Sequence, residues 1–424
     1  MQIQSSKQGY QHVKSLFGKY EEIPEDWELK NMGSFLKITM GQSPPSESYN
    51  EEKIGLPFYQ GVTDFGNIHP KPTIWCSNPK KIGKPNQILF SVRAPVGETN
   101  ITESECCLGR GIAAIDPQEN NLLYSYFLIT YNKRRFSVYS QGTTYDAINK
   151  DDIAKTKLPF TKNKIEQQKI ASTLSNVDLL IQQTQKIIEQ TQRLKKSLMQ
   201  NLLTRGIDHA KFDAVLLGPT FPKIIIPHEW KVEKLSRIAK VIDSRHYTPE
   251  YTREGIPLIL PNNVKIEGLD LTDTKFTSKE DYLKLIDGNR NPEVNDIVYS
   301  RNATFGIACR VEKEQKFSLG QDLVLIKPEK INPYLLFLIL NSNIVISQLS
   351  RLITGTTFKR INLDLIRQFL IPYSVDPNEQ SKIAELIRKI NVKIDIHRTN
   401  KSKLETLKKG LMQKLLTGQI RVKV

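Results

Sequence analysis

The sequence repeats itself at about half its length, and this internal repeat restricts the fold more than any other feature. Six segments recur in the same order: Ile23–Trp27 and Ile226–Trp230, Ile88–Ser91 and Ile297–Ser300, Gly142–Asn149 and Gly355–Asn362, Leu158–Phe160 and Ile371–Tyr373, Glu166–Ala171 and Glu379–Ala384, Leu194–Thr204 and Leu407–Thr417. The distance between matching residues grows from 203 at the tryptophans to 213 at Gly142 and Gly355, and is constant afterwards. We therefore predict two copies of one structural unit, with the insertions confined to the first part of each copy.

Each copy begins with a globular part that is rich in proline, glycine and short apolar runs. Strands are predicted where such runs are bounded by turn residues, at Gln87–Val92, Gly111–Ile115, Asp296–Ser300 and Leu323–Ile326. The apolar stretches Leu122–Tyr131 and Tyr334–Leu340 predict short helices. The globular parts are thus expected to be mixed α/β domains of the α+β class.

Each copy ends with a segment that is predicted to form one long helix. Residues Ile165–Leu203 contain no proline or glycine, and apolar or small residues recur there at alternating steps of four and three: Ile170, Leu174, Val177, Ile181, Thr184, Ile188 and Thr191. The second copy repeats the pattern at Ile383, Ile387, Ile390, Ile394, His397 and Leu404, followed by Leu407, Leu411 and Leu415. This spacing is the heptad seam of a coiled coil.

A polar helix of about 40 residues would be about 60 Å long and needs a packing partner. The two long helices are therefore predicted to pack on each other as an antiparallel coiled coil, with the globular domains at opposite ends and a pseudo-two-fold axis within the chain. The predicted boundaries are residues 1–161 for the first globular domain with an N-terminal extension, 162–207 for the first long helix, 208–374 for the second globular domain and 375–424 for the second long helix.

The net charge of +16, from 61 Lys and Arg against 45 Asp and Glu, indicates a polyanionic or acidic partner: nucleic acid, an anionic membrane or an acidic protein. Most of this charge lies on the predicted helices. Residues 163–205 carry seven basic and three acidic side chains, and residues 377–424 carry twelve and four. The helices could follow DNA phosphates or bind an acidic protein surface, and charge alone does not separate these alternatives.

Processing signals and cysteine spacing exclude several other classes. The first twenty residues lack the apolar core of a signal peptide, and no apolar run approaches the ~20 residues of a membrane span, which favours a cytoplasmic protein. No pair of cysteines has CxxC spacing, so we expect reduced and mostly buried thiols at Cys76, Cys106, Cys107 and Cys309.

The sequence also lacks common catalytic motifs. There is no GxxxxGK[ST] phosphate loop, no GxGxxG after a strand, no HExxH and no GxSxG. Asp26, Glu28 and Lys30 imitate part of a nuclease site, but the second copy lacks this pattern. An ordinary surface strand is therefore the favoured interpretation.

We select as candidate contacts to nucleic acid Gln42, Ser43, Gln60, Arg93, Thr143, Thr144, Tyr145, Arg245, His246, Tyr247, Asn262, Asn263, Arg301, Asn302, Thr356, Thr357, Phe358 and Lys359. Arginines after the repeated Ile-x-x-Ser strand can contact bases or phosphates, or form surface salt bridges. The Gly-Thr-Thr-aromatic segments offer hydroxyls, amides and a ring, or serve only as turns. Asn and Gln can pair bidentately with adenine. The Gly-Gln-Ser-Pro-Pro run fits an anion-binding turn or an ordinary turn, and its prolines, which lack N–H groups, argue against a phosphate nest.

Taken in order, these motifs resemble those of the specificity subunits of type I restriction-modification systems. I-P-x-x-W is followed by G-T-T-x-x-x-I-N, by a hydrophobic-proline-aromatic segment, and by E-Q-x-K-I-A, which opens a long helix that ends L-M-Q-x-L-L-T. Each motif alone has low specificity, but the ordered set occurs twice and covers essentially the whole chain.

The resemblance implies that each globular domain is a target recognition domain that reads one half of an asymmetric, bipartite double-stranded DNA site, while the helices fix the gap. It implies that the helices dock two methyltransferase (modification) subunits, which use S-adenosylmethionine to methylate adenine, and that motor-nuclease (restriction) subunits can join. This chain would itself hold no catalytic site, cofactor or metal.

Two other classes of protein stay open from the residues alone. The first is a standalone DNA nuclease or methyltransferase with a divergent site, which would cleave or methylate DNA without partners. The second is a structural coiled-coil adaptor that never touches base edges, which would give only sequence-independent protection in footprinting.

Overall fold

The computed structural model describes residues 8–14, 20–140, 147–217, 223–301, 306–352 and 361–423. The chain divides into two compact units. The first is formed by Met1–Lys186 with Arg398–Val424, and the second by Ile187–His397. The division falls inside both long helices, so each unit contains helical segments from both copies of the repeat.

The first unit combines four small sheets with helices. Its strands form a hairpin (Tyr10–Lys14, Tyr20–Pro24), a pair (Glu28–Asn31, Lys157–Phe160), a sheet in the order Thr99–Ile101, Ile88–Ser91, Ile112–Asp116, Lys37–Met40, and a sheet in the order Tyr49–Asn50, Trp75–Cys76, Leu56–Tyr59, Cys106–Leu108, Ile82–Gly83. Its short helices are Leu122–Tyr131, Lys133–Ser140 and Lys150–Lys155, with 3-10 turns at Met32–Ser34, Ser46–Ser48 and Val62–Asp64. The first long helix is Lys164–Arg205.

Among the described residues, the second unit repeats these sheets in the same chain order, with four strands instead of five in one sheet and with one additional strand pair. Its strands form a hairpin (Phe212–Leu216, Lys223–Pro227), two pairs (Lys231–Lys234 with Leu370–Tyr373, and Val264–Lys265 with Gly268–Leu269), a sheet in the order Ala239–Asp243, Leu323–Pro328, Ile297–Ser300, Ala308–Arg310, and a sheet in the order Tyr251–Thr252, Lys275–Thr277, Ile256–Ile259, Ser318–Leu319. Its helices are Leu235–Ile238, Lys279–Ile286, Pro333–Leu340, Asn343–Leu352, Leu363–Arg367 and the second long helix Pro377–Leu416, with a 3-10 turn at Pro261–Asn263.

The central sheet of each unit is buried on both faces, which explains its apolar strands. In the first unit Ile88 and Phe90 join the large core that includes the helices, whereas Leu89 faces a second, smaller core. Ile297 and Val298 divide between two cores of the second unit in the same way. The predicted mixture of helix and sheet is confirmed, and the predicted strands and short helices are present to within two residues.

The repeated tryptophans and the Glu-Gln pair bind the globular part of each unit to the start of its long helix. Trp27 donates its indole N–H to Glu166 and Trp230 donates to Glu379, each at 3.1 Å. The neighbouring glutamines form equivalent hydrogen bonds in the two units. Gln167 accepts from the backbone N–H of Asn121 at 2.9 Å, and Gln380 accepts from that of Asn332 at 2.6 Å. These repeated motifs are therefore parts of the scaffold, because their hydrogen-bonding groups are satisfied within each unit.

The two predicted long helices are confirmed, and segments of both meet inside each unit. In the first unit Asp178 of the first long helix pairs with Lys408 of the second at 2.6 Å. In the second unit Leu203 shares a core with Ile383 and Ile387.

One position of the predicted seam is wrong. Leu407 is 50% exposed, and Lys408 takes its place between Leu404 and Leu411. The Lys408 ammonium lies 5.6 Å from the centre of the Phe127 ring and pairs with Asp178, so the long stem of the side chain covers apolar surface. Heptad spacing predicts Leu407 at this position because the sequence does not show that Phe127 and Asp178 face it.

The four cysteines are buried free thiols, as predicted. In the described ranges no helix is both long enough and apolar enough to span a membrane.

Candidate nucleic-acid interface

Three loops of the first unit meet at one end of its sheets. The loop after Lys37–Met40 bonds through the N–H of Gln42 to the carbonyl of Leu108 at 2.9 Å, and the hydroxyl of Ser43 accepts from the N–H of Arg110 at 3.2 Å. The N–H of Gly109 bonds the carbonyl of Tyr59 at 2.8 Å, directly before Gln60. The predicted residues Gln42, Ser43 and Gln60 are thus brought together around the turn at 109–111.

The turn at 109–111 requires glycine at positions 109 and 111 because the backbone there passes very close to the backbone of Gln60. A Cβ on Gly111 would lie 2.2 Å from the carbonyl oxygen of Gln60, and one on Gly109 would lie 2.8 Å from the Cα of Gln60. Only a residue without a side chain permits this contact. The two glycines therefore hold the exposed side chain of Arg110 beside the exposed side chains of Gln42 and Gln60.

The second unit forms the same arrangement from different residues. The N–H of Ser244 bonds the carbonyl of Leu323 at 3.1 Å, and the N–H of Gly320 bonds that of Ile259 at 2.8 Å. The side chain of Gln321 donates to the hydroxyl of Thr248 at 2.9 Å. The loops 244–250, 260–263 and 320–322 thus correspond to the three loops of the first unit.

These loops of the second unit enclose an open groove of about 360 Å³. Its wall includes the predicted residues Tyr247 and Asn262, together with Tyr251 and Gln321. Amide groups and aromatic rings in one concave surface suit the edges and faces of bases. Chemically, the groove can donate and accept hydrogen bonds and offer stacking surfaces.

Neighbouring acids position the basic-aromatic loop. The phenol of Tyr247 donates to Asp281 at 2.7 Å, and this hydrogen bond raises the pKa of Tyr247 and lowers that of Asp281. Arg245 donates to Asp287 at 2.9 Å, and His246 lies 3.4 Å from Asp243. Tyr247 therefore stays protonated at neutral pH, with its ring at the groove.

Two of the predicted contacts are corrected by the structure. Asn263 is buried; its amide oxygen accepts from the N–H of Leu260 and its amide nitrogen donates to the carbonyl of Asp270, both at 2.9 Å. The side chain of Arg301 is 8% exposed and donates to Asp243 at 2.7 Å and to the carbonyl of Ile361 at 2.9 Å. Both side chains are buried and form hydrogen bonds within the protein, so they are not available to a base edge.

The two predicted arginines also occupy different positions of the unit. The carbonyl of Val92 accepts from the N–H of Ile148, just as that of Arg301 accepts from Ile361. Arg301 therefore matches the buried Val92, whereas Arg93, one residue later, is exposed and pairs with Ala147. Thr143, Thr144, Tyr145, Asn302, Thr356, Thr357, Phe358 and Lys359 lie outside the described residues.

Sequence reasoning missed Arg110 and Gln321, which occupy the same turn in the two units. The only local signal is the Gly-Arg-Gly run of the first copy, which resembles an ordinary turn. No group of three or more His, Cys, Asp or Glu side chains in the described ranges is placed to hold a metal ion. Asp26 and Glu28, from the nuclease-like pattern, pair with Arg421 and Lys162.

Solved structures share this fold. The chain is similar to a crystal structure of a type I restriction-modification system S subunit from M. genitalium, with a TM-score of 0.57, 19% identity, and coverage of 92% of this chain and 96% of that one. It is also similar to a chain from a structural study of complex assembly and conformational transition of the type I R-M system, with a TM-score of 0.60, 14% identity, and coverage of 94% and 99%.

Relatives in sequence agree. A candidate type I restriction enzyme MjaX specificity subunit of Methanocaldococcus jannaschii is 39% identical over 202 residues, which is 47% of each chain. The type I restriction enzyme MjaVIII specificity subunit of the same organism is 27% identical over 417 residues, covering 95% of this chain and 94% of the relative. The model of the type I restriction modification DNA specificity domain matches twice, at residues 24–193 and 227–406, and the chain belongs to this family.

Proposed function

We propose that each unit reads one half of an asymmetric, bipartite double-stranded DNA sequence through its three loops. The observation that carries this proposal is that equivalent loops are built on a repeated scaffold but present different side chains. Gln42, Gln60 and Arg110 stand in the first unit, and Tyr247, Asn262 and Gln321 in the second. A repeated scaffold with unlike reading surfaces suits two unlike half-sites.

The segments outside the described residues belong to the same proposal. Arg93 is exposed and pairs with Ala147, which follows Thr143, Thr144 and Tyr145 in the sequence. We assign phosphate or base contacts to these residues and to Asn302, Thr356, Thr357, Phe358 and Lys359. Arg245 and His246 would contact the phosphate backbone, since they directly precede Tyr247, which lines the groove.

The long helices are proposed to form an antiparallel coiled coil around a pseudo-two-fold axis and to set the gap between the half-sites. Support comes from the Asp178–Lys408 pair between the two helices in the first unit and from the core that Leu203 shares with Ile383 and Ile387 in the second. The predicted domains 1–161, 162–207, 208–374 and 375–424 are the corresponding division of the chain. Protein geometry fixes the spacing of half-sites in DNA-binding proteins that read two of them.

Catalysis is proposed to reside in partners. Two methyltransferase subunits would bind this chain and use S-adenosylmethionine to methylate adenine, motor-nuclease subunits could join them, and the assembly would act in the cytoplasm. Membership in the specificity family favours this function over a standalone nuclease or methyltransferase.

Mapping methylated adenines across a genome, with and without this gene, tests the proposal. We expect one asymmetric, gapped sequence to lose methylation when the gene is removed. Footprinting of the assembled complex should protect the same sequence. Protection without sequence preference would contradict the proposal, and methyl transfer or cleavage by the purified chain alone would favour the standalone enzyme.

A further inference from the structure

A pocket of about 290 Å³ in the second unit lies away from the three loops. It is formed between the strand Ala308–Arg310, the start of the helix Pro333–Leu340 and the first turns of the second long helix. Arg310 lines it, and the side chain of this arginine is 7% exposed. The two Nη atoms of Arg310 donate to Asn295 and Glu312, each at 2.9 Å, but its buried Nε has no hydrogen-bond partner in the described part of the chain.

A second arginine stands at the mouth of the same pocket. The guanidinium carbons of Arg310 and Arg388 lie 5.4 and 5.2 Å from the centre of the Tyr334 ring, while the Tyr334 hydroxyl accepts from Asn391 at 2.7 Å. Arg388 is exposed, and no carboxylate of the described residues lies within ion-pair distance of it. Two guanidinium groups with unused N–H donors therefore line one small pocket. These donors can bind the oxygen atoms of an oxyanion.

This pocket is not part of the repeated scaffold. The scaffold bond beside it, from the N–H of Asn332 to Gln380, has its counterpart in the bond from Asn121 to Gln167. The residues of the first unit that match Arg310, Tyr334 and Arg388 are Ile101, Leu123 and Ser175, none of which is charged. The arginines are thus additions to one copy only, with no role in holding the shared fold.

The face of the helix that carries Arg388 continues as an apolar stripe. Ser381, Glu385 and Arg388 line the pocket, and steps of four lead on along the same face to Val392 and Ile396. Both of these side chains are 53% exposed. Arginine and tyrosine beside exposed apolar residues are the composition of a protein interface.

We propose that the pocket of Arg310, Tyr334 and Arg388 binds one carboxylate side chain of a partner protein, and that apolar residues of the same partner cover Val392 and Ile396. The partner is the methyltransferase subunit, so this inference rests on the proposed function. A planar carboxylate fits two guanidinium groups, and the pocket is too small for a nucleotide.

DNA is a poorer occupant of this surface. Glu385 lines the pocket and Glu312 pairs with Arg310; these acids are 61% and 65% exposed and would repel a line of phosphates. Interfaces with DNA are also more polar and more positive than the stripe of Val392 and Ile396. A single acidic side chain brings one negative charge past these acids, whereas DNA brings a line of them, and apolar residues of a protein can cover the stripe.

The test compares two charge reversals on the same helix of the full-length chain, Arg388→Glu and Lys393→Glu. Lys393 is exposed and lies off the pocket face, so its variant is the matched control. Binding of the purified methyltransferase subunit should weaken about tenfold or more in Arg388→Glu and less than about twofold in Lys393→Glu. Arg388→Lys keeps the charge but not the planar fork, and should fall between Arg388→Glu and the unchanged chain.

Three results would overturn the inference. Equal affinities of the two charge reversals would show that the pocket does not hold the partner. A larger loss in DNA binding by the chain alone than in methyltransferase binding would assign the pocket to a phosphate. Failure of the unchanged chain to bind the methyltransferase would remove the proposed function together with this inference, whereas the first two results leave that function standing.

Discussion

At the residue scale, each unit contains one buried carboxylate at the start of its long helix, and the two carboxylates accept hydrogen bonds from different donors. Glu166 is fully buried and accepts from Trp27, from Thr161 at 2.8 Å and from Arg421 at 2.6 Å. Its counterpart Glu379 accepts from Trp230, from the N–H of Ile207 at 2.9 Å and from His209 at 2.8 Å. A buried carboxylate without donors would cost several kcal/mol, so these partners are required. Arginine keeps its charge at every accessible pH, whereas histidine does not.

The stability of the second unit should therefore depend on pH through His209. Burial lowers the pKa of His209, but the hydrogen bonds and charges of Glu379 and Glu229 outweigh it, so the pKa is raised. The stabilising charge is fully present below the unfolded value of about 6.5 and is lost as pH rises through the folded pKa. His209→Gln should lower the free energy of unfolding by about 1–3 kcal/mol near pH 6 and by less near pH 9.

Thermal or denaturant unfolding at several pH values measures this effect. His228→Gln is the control, because His228 and its partner Asp213 are 67% and 55% exposed and exposed pairs contribute about 0–1 kcal/mol. A difference between the unchanged chain and His209→Gln that does not shrink as pH rises would contradict the prediction.

Arg110 and Gln321 should each affect one half of the recognised sequence. Both are exposed on equivalent turns, so Arg110→Ala should relax specificity in the half read by the first unit, at a cost of about 1–3 kcal/mol per lost base contact. Gln321→Ala should act only on the other half. Sequencing of methylated sites measures both halves at once, and each variant is the control for the other. A uniform loss over the whole site would mean that these residues contact phosphates.

At the scale of the elements, periodic features were predictable and long-range pairings were not. The long helices and the central strands follow from heptad spacing and continuous apolar runs, which need no knowledge of the partner. The hairpin Tyr10–Lys14 with Tyr20–Pro24 was missed because its residues are mostly polar and partly exposed. The loop cluster was recovered only in part, because the parallel pairing of Leu56–Tyr59 with Cys106–Leu108 joins strands that are remote in sequence. Buried Arg301 shows that a motif does not reveal which way a side chain points.

Shortening the helices should shorten the gap in the recognised sequence. Matching heptads of the two helices are Leu180–Lys186 and Lys393–Thr399, at the constant offset of the repeat. Removing both takes out about 10 Å of helix, or about three base pairs of DNA, while keeping the seam in register. The methylated sequence measures the gap. Deletion of four residues from each helix, which breaks the seam, should instead abolish recognition, and an unchanged gap after heptad deletion would reject the ruler function.

At the scale of the whole molecule, positive charge is concentrated on the helices rather than on the reading loops. Part of it is used internally, since Lys408 pairs with Asp178 and Arg421 with Asp26 and Glu166. The exposed remainder includes Lys186, Lys196, Lys403 and Lys409. These residues are the ones to replace in order to test whether the helices follow DNA or bind an acidic protein.

Replacing these four lysines by glutamine should reduce the salt dependence of DNA binding. Each phosphate contact that is lost lowers the slope of log K against log salt by about 0.9. We expect a lower slope with unchanged sequence preference, measured by DNA titration at several salt concentrations. An unchanged slope combined with weaker methyltransferase binding would assign this charge to the protein partner.

The discontinuous make-up of the first unit has a consequence for biosynthesis. Its core includes Met412, Leu415 and Leu416, which are translated after the whole of the second unit. The second unit is one uninterrupted stretch whose core needs nothing beyond His397, whereas the core of the first unit needs the last helical turns of the chain. The unit that is translated first is therefore completed last, and a released chain that ends at His397 should expose the first unit, but not the second, to proteases and chaperones.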